Sequence, residues 1–265
     1  MTKNSEIKNK LAPNESGVRP DFMYKNIIDQ KRYINVLQFV KGKRVLDCAC
    51  GVGWGSYIMA KAGAEQVVGL DLSSNAINTA KKYYNHDSIL YQEDNIYNFS
   101  SNEKFDVITS FETLEHVEDP LKFLNTLANL CHSDTVFFLS TPNGFSFKNK
   151  NELPHNPYHK MEFNKEELYK LLDLSNWLIE EYLGTHPMKK DSEEIVEYRN
   201  FIRRFWTDKI RSETYGIIYT LGGKIFRRLL NRKLVDPAHL EDCSPKKITN
   251  EFEPAYHYLK LKLKK

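Results

Sequence analysis

Along this chain, short and nearly unbroken apolar runs alternate with stretches in which apolar residues recur every three or four positions. The first pattern reads as buried strands and the second as amphipathic helices. Strands are predicted at Arg44–Leu46, Gln66–Leu72, Ile89–Asp94, Lys104–Glu112, Thr135–Leu139, Trp177–Thr185 and Ala255–Leu263. Helices are predicted at Ser56–Ala62, Ser74–Tyr84, Pro120–Cys131 and Asn164–Asp173, with Ser73 or Ser74, Asp119-Pro120 and Asn164 marking three of their starts. Ahead of the first strand, Phe22, Met23, Ile27, Ile28, Tyr33, Ile34, Leu37 and Val40 recur at helical intervals, which gives one or two more helices packed against the core.

Strands and helices alternating at this spacing imply an α/β fold: a doubly wound, Rossmann-like, mostly parallel sheet of seven strands, its last strand antiparallel. Residues 1–20 are polar and broken by Pro13, Gly17 and Pro20, so they read as a flexible segment ahead of a core spanning 21–186. Residues 187–250 depart from the pattern. Asp191 caps one helix, a second runs from about Ile217 to Arg232, and the pair reads as a helical cap inserted before the last strand, within 251–265.

Composition narrows the class. With 38 basic and 35 acidic residues in 265, the formal charge of +3 supplies no global field for nucleic acid, and no nucleic-acid partner is expected. Charge is local instead: between Arg203 and Lys233, nine basic residues stand against Asp208 and Glu213. That stretch suits a solvated helix face, a clamp for a phosphorylated acceptor, a membrane-surface contact through 191–234, or a homodimer face. Cys48, Cys50, Cys131 and Cys243 lack metal-ligand spacing and read as structural thiols in a reducing compartment. No run approaches the length of a membrane span and the N-terminus lacks a signal-peptide core, so a cytoplasmic protein is expected.

The candidate chemistry gathers at the strand ends. RVLDCACGVGWGS, residues 44–56, is a strand entering a turn punctuated by Gly51, Gly53 and Gly55, then a helix, which is the shape of a nucleotide cradle. Asp71 follows Gly51 by 20 positions and ends the next strand, within reach of the two ribose hydroxyls of an adenosine. A nicotinamide site also uses such an acid, but Asp47 inside the turn would repel a pyrophosphate. Asp47, Asp71, Asp94, Glu112 and Asn143 all fall at the carboxyl ends of strands, where ligands bind in such sheets.

The segments VLDCACGVGWGS, VVGLDLSSNAI, YQEDNI, FDVITSFETLEHVEDP and FFLSTPN, in this order across residues 44–143, resemble class I S-adenosylmethionine (SAM) dependent methyltransferases. STPNG followed by NPYHKMEFNKEEL is similar to the small-molecule subgroup that includes ubiquinone-type and surface-polysaccharide-associated enzymes. The resemblance implies that SAM is the cofactor, with Asp47, Gly51 and Gly53 around its methionine part. Asp71 would hold the ribose, Asp94 the adenine amino group with Ile96 nearby, Leu72 and Asn95 would also belong to the cofactor site, and Phe111 would line the pocket below the sulfonium. Tyr24 and Tyr33 would close over SAM, while Glu112, His116 and His159 would face a small-molecule acceptor.

Methyl transfer is an in-line displacement at an activated carbon, so the protein mainly aligns the reactants, and no metal is expected. A hydroxyl acceptor needs a base near its operating pH, whereas an unprotonated amine does not, so a required histidine favours oxygen. The acceptor is read as a small polar metabolite, phosphorylated or sugar-linked. A phosphorylated amine and a membrane-bound quinone are the alternative acceptors, and a non-catalytic binding protein on the same fold is the alternative class. His116 is also open to a loop-fixing or helix-capping role, Glu112 to a backbone bond at its strand end, and His155 to solvent.

Overall fold

The computed structural model describes residues 27–144, 158–189, 244–249 and 252–264. Tyr24, His155, Cys243, the N-terminal segment 1–20 and the two helices expected between Asp191 and Arg232 lie outside these residues. In chain order the elements are α1 (Ile27–Val36), β1 (Arg44–Cys48), α2 (Trp54–Lys61), β2 (Gln66–Asp71), α3 (Ser74–Tyr83), β3 (Ile89–Glu93), β4 (Phe105–Phe111), α4 (Pro120–Ala128), β5 (Cys131–Pro142), α5 (Lys165–Leu174), β6 (Trp177–Lys189) and β7 (Phe252–Leu263). A short 3-10 turn, Leu37–Phe39, follows α1.

The seven strands form one sheet in the order β3-β2-β1-β4-β5-β7-β6. The pairs from β3 to β5 are parallel, and β7 runs antiparallel between β5 and β6. Alternation within the buried strands supplies two cores. Val45, Val67, Val107 and Phe138 face the side packed by Tyr33, Val36 and Met59 of α1 and α2. Leu46, Val68, Ile108 and Phe137 face Phe123, Leu127, Leu168 and Leu172 of α4 and α5. Burial on both faces explains why these strands read as continuous apolar runs. After β3 the chain returns to the far side of β1, so the carboxyl ends of β1 and β4 flank the switch point where a doubly wound sheet opens a crevice.

Helix starts follow local chemistry. Ser73 accepts from Ala76 N at 3.3 Å, Asp119 from Lys122 N at 2.9 Å ahead of Pro120, and Asn164 exchanges side-chain bonds with Glu167 in a capping box. Several boundaries differ from those read in the sequence: β1 runs on to Cys48 and β7 begins at Phe252. The second helix begins at Trp54 because Gly53 caps it, α4 stops at Ala128, Cys131 opens β5, and β6 runs on to Lys189. A face also differs. Ile34, expected to pack inward, is 49% exposed, and Arg32 is fully buried instead, its guanidinium 3.2 Å from Glu112 and 4.6 Å over the Tyr256 ring. Among the described residues no helix is long and apolar enough to cross a membrane.

β7 also carries a buried titratable group. His257 Nδ1 meets the Tyr182 hydroxyl at 2.8 Å and Nε2 meets Phe163 O at 2.9 Å, so the neutral tautomer protonated at Nε2 satisfies both contacts. Burial pushes its pKa down to about 4. The unfolded chain therefore takes up this proton first as pH falls, and the histidine's contribution to stability drains away between about pH 6.5 and 4. At 1.36 kcal/mol per pKa unit, about 2–3 kcal/mol is lost by pH 4.5. Urea unfolding of wild type and His257→Gln at pH 7 and pH 4.5 measures this as a shallower loss in the variant. Equal losses would assign acid sensitivity to other groups.

Candidate active site

The turn after β1 is built over one buried carboxylate. Asp47 is fully buried and accepts from Ser56 Oγ at 2.6 Å, Thr109 Oγ1 at 2.8 Å and the Tyr33 hydroxyl at 3.0 Å. These three donors come from α2, β4 and α1, so one side chain ties together the elements around the turn. Burial raises the Asp47 pKa, against the pull of the three hydroxyl bonds. The Tyr33 ring packs edge-on against Trp54 and Phe111. Both side chains are buried: Tyr33, expected to close over a ligand, packs against Trp54 and Phe111, and Asp47 holds the turn together from beneath.

Glycine is needed at two positions of the turn. At Gly53, φ is +86° and a Cβ would lie 2.6 Å from both Ala80 Cβ and the Tyr91 hydroxyl. At Gly51, φ is +55° and the space a Cβ would enter is open, so bare backbone faces the crevice. Gly51 N donates to Asp71 Oδ2 at 2.8 Å, and Ser73 N donates to Asp71 Oδ1 at 2.9 Å. Burial raises the Asp71 pKa while these two bonds lower it. A carboxylate accepts about four hydrogen bonds, so two acceptor positions remain for ligand hydroxyls.

Next to Asp71, Leu72 is 70% exposed, an apolar surface at the end of β2. Asp94 follows β3; its N–H donates to Asp71 O at 3.1 Å, and its carboxylate accepts from Asn95 N at 2.7 Å and Gln92 Nε2 at 3.3 Å. Asn95 Oδ1 accepts from Tyr97 N at 3.1 Å, and Ile96 is buried in the core beneath. Phe111, half-buried at the end of β4, packs between Tyr33 and Tyr258.

Across the crevice, the loops after β4 and before α5 bring together ionisable groups that are far apart in sequence. Glu112 has φ +52°, a conformation non-glycine residues rarely adopt. Its carboxylate is held by Arg32 at 3.2 Å and by Ser140 Oγ at 2.9 Å. Glu115 is buried, accepts from Thr141 Oγ1 at 2.9 Å, and has its pKa pushed up to about 7 by burial. His116 Nδ1 lies 3.0 Å from Tyr158 O and Nε2 3.8 Å from Glu115 Oε1. His159 Nδ1 lies 2.6 Å from Glu162 Oε1, and the two imidazole rings meet edge to face with centroids 4.8 Å apart. Asn143 is used structurally, donating from Nδ2 to Pro254 O at 3.0 Å. His116 does not cap α4, since Asp119 does; it fixes its loop against Tyr158.

Residues 25–182, more than half of the chain, match the model of a methyltransferase domain. The chain belongs to the class I SAM-dependent methyltransferases.

This methyltransferase chain is 42% identical over 110 residues to a ubiquinone biosynthesis O-methyltransferase of Actinobacillus pleuropneumoniae serotype 7, covering 38% of the chain and 47% of that protein. It is 30% identical over 144 residues to a probable SAM-dependent methyltransferase of Mycolicibacterium smegmatis, covering 54% and 55%. Its match therefore spans about half the length of these curated relatives. A solved structure of a putative SAM-dependent methyltransferase from Listeria monocytogenes shares the fold with a TM-score of 0.55, at 13% identity, covering 89% of this chain and 99% of that one. SAM is the cofactor of the family, and the crevice fits it: an open space beside Gly51, two acceptor positions on Asp71 and an apolar surface at Leu72. The sequence did not single out Arg32, Ser56, Thr109, Thr141 or Glu162. Glu115 and Glu162 sit one and three positions from the histidines that it did, a proximity that could have drawn them in.

Proposed function

We propose that this methyltransferase transfers the methyl group of SAM to a hydroxyl oxygen of a small polar metabolite. The observation that carries the reading is the division of the crevice. One half presents carboxylates and bare glycine backbone suited to an adenosine, and the other presents two imidazoles in contact with buried carboxylates. When bound, SAM supplies a carbon already activated for displacement. Asp71 would accept the ribose hydroxyls, Asp94 with Asn95 and Ile96 would flank the adenine, Leu72 would cover it, and Phe111 would wall the sulfonium side. On the other side, His116 and His159 would orient the acceptor and receive its proton, with Glu162 fixing the His159 ring. An unprotonated amine attacks without a base, so two positioned imidazoles favour a hydroxyl acceptor, and the A. pleuropneumoniae relative is named as an O-methyltransferase.

Calorimetric titration with S-adenosylhomocysteine, with NAD as control, tests the reading. Stoichiometric binding of the former alone is expected. Binding of NAD alone, or of neither by folded protein, overturns it. Once an acceptor is identified by screening hydroxylated and aminated metabolites, His159→Gln should lower kcat about 10²-fold or more while leaving S-adenosylhomocysteine affinity unchanged. Near-normal turnover in that variant would point to an amine acceptor.

A further inference from the structure

We infer that His257 and Gly144 are positioning residues of the reaction: together they fix the carbonyl of Phe163, and with it the Glu162–His159 pair that receives the acceptor's proton. On the hydroxyl-acceptor reading, on which this role rests, they act through that pair and not on the acceptor itself.

Residues 158–163 carry both His159 and Glu162 but belong to no helix or strand. Their shape therefore depends on what grips them. At the front of the segment, Lys160 N donates to Glu115 O at 2.7 Å. At its rear, Phe163 O accepts from Gly144 N at 2.8 Å and from His257 Nε2 at 2.9 Å, which uses both lone pairs of that carbonyl. His257 lies on β7 and Gly144 just past the end of β5, where Asn143 bridges to Phe163. The residue before Phe163 is the buried Glu162, whose Oε1 lies 2.6 Å from His159 Nδ1. A slip at Phe163 would thus move the carboxylate that orients the base.

The residue types at both positions suit this grip. A Cβ on residue 144 would lie 3.0 Å from the backbone carbon and oxygen of Glu162, so glycine lets the two chains approach. His257 is fully buried, and burial keeps it a neutral donor at neutral pH. The Tyr182 hydroxyl, 2.8 Å from Nδ1, sets the proton on Nε2. An apolar side chain would fill the same space without supplying that donor. Anchoring a loop to strands in this way keeps reacting groups within the roughly 0.5 Å that a working site needs.

Full-length chain labelled at its histidine nitrogens tests this without an acceptor. At about pH 8, above the usual imidazole pKa of about 6.5, proton–nitrogen correlation spectra report which nitrogen of each ring carries the proton, and His159→Gln identifies the His159 signals. Wild type and His257→Gln, whose amide can donate in place of Nε2, should show His159 protonated at Nδ1, toward Glu162. His257→Met and Gly144→Ala should each shift it toward the Nε2 form, with circular dichroism and S-adenosylhomocysteine titration establishing that they are folded. Should one of these two not fold, the other decides. With an acceptor in hand, each should lower kcat about 10- to 100-fold at unchanged acceptor KM. Adding Glu162→Gln to His257→Met should cost no more than Glu162→Gln alone, because both act through one ring. Unchanged His159 signals in the folded variants, or effects of the two substitutions that multiply, overturn the inference. Failure of wild type to bind S-adenosylhomocysteine would instead overturn the methyltransferase reading, on which the nitrogen spectra do not depend.

Discussion

Asp71→Asn should lower the affinity for S-adenosylhomocysteine by about 10- to 100-fold. Asp71 is held by Gly51 N and Ser73 N in the position a ribose would meet, with two acceptor positions left for its hydroxyls. A hydrogen bond to a charged group contributes about 1.5–3 kcal/mol, and each 1.4 kcal/mol is tenfold in affinity. Asparagine is close to isosteric, but its amide nitrogen must face the N–H of Gly51 or of Ser73, so the charge, one acceptor oxygen and one bond of the turn are lost together. Calorimetry at constant ionic strength reads the change directly, with urea unfolding to show that the variant remains folded. Unchanged affinity in the folded variant would place the ribose elsewhere in the crevice.

Asp47→Ala destabilises the fold by about 3–5 kcal/mol. The substitution removes the acceptor shared by Tyr33, Ser56 and Thr109, and burial prevents water from replacing it. An orphaned buried polar group costs about 1–3 kcal/mol, and partial repacking keeps the total below the sum for three. Against a typical stability of about 5–15 kcal/mol this is a large fraction. Asp47→Asn, which keeps one carbonyl acceptor, should cost visibly less. The midpoint of urea unfolding decides it, and a loss below about 1 kcal/mol in the alanine variant would mean that the three hydroxyls find other partners.

The strand count, the order of the carboxylates and the mostly parallel sheet were legible because buried strands leave apolar runs and helix caps leave Ser, Asp or Asn at fixed offsets. Cys131 illustrates where that legibility ended. Its apolar surroundings suit a helix end as well as a strand start, and only pairing with Phe105 decides between them. The Arg32 position failed for a deeper reason. Periodicity assigns arginine to solvent, and its counterparts Glu112 and Tyr256 arrive from β4's end and β7. The same held for the acceptor side. His116 and His159 stood out by residue type, but that they touch, with Glu115 and Glu162 beneath them, depends on two loops meeting. Contacts of this kind are written in the tertiary fold and not in local spacing.

The antiparallel β7 sets a timetable for synthesis. Its residues are the last of the described strands to leave the ribosome, yet it fills the slot between β5 and β6 and its Tyr258 hydroxyl reaches Asn35 on the first helix at 3.0 Å. Until residues 252–263 emerge, β5 and β6 each present an unpaired edge, and β5 carries the apolar run Val136–Leu139. The nascent chain must therefore carry an unfinished sheet through nearly all of its translation. A premature stop before Phe252 would leave a product whose hazard is aggregation through the β5 edge as well as lost activity.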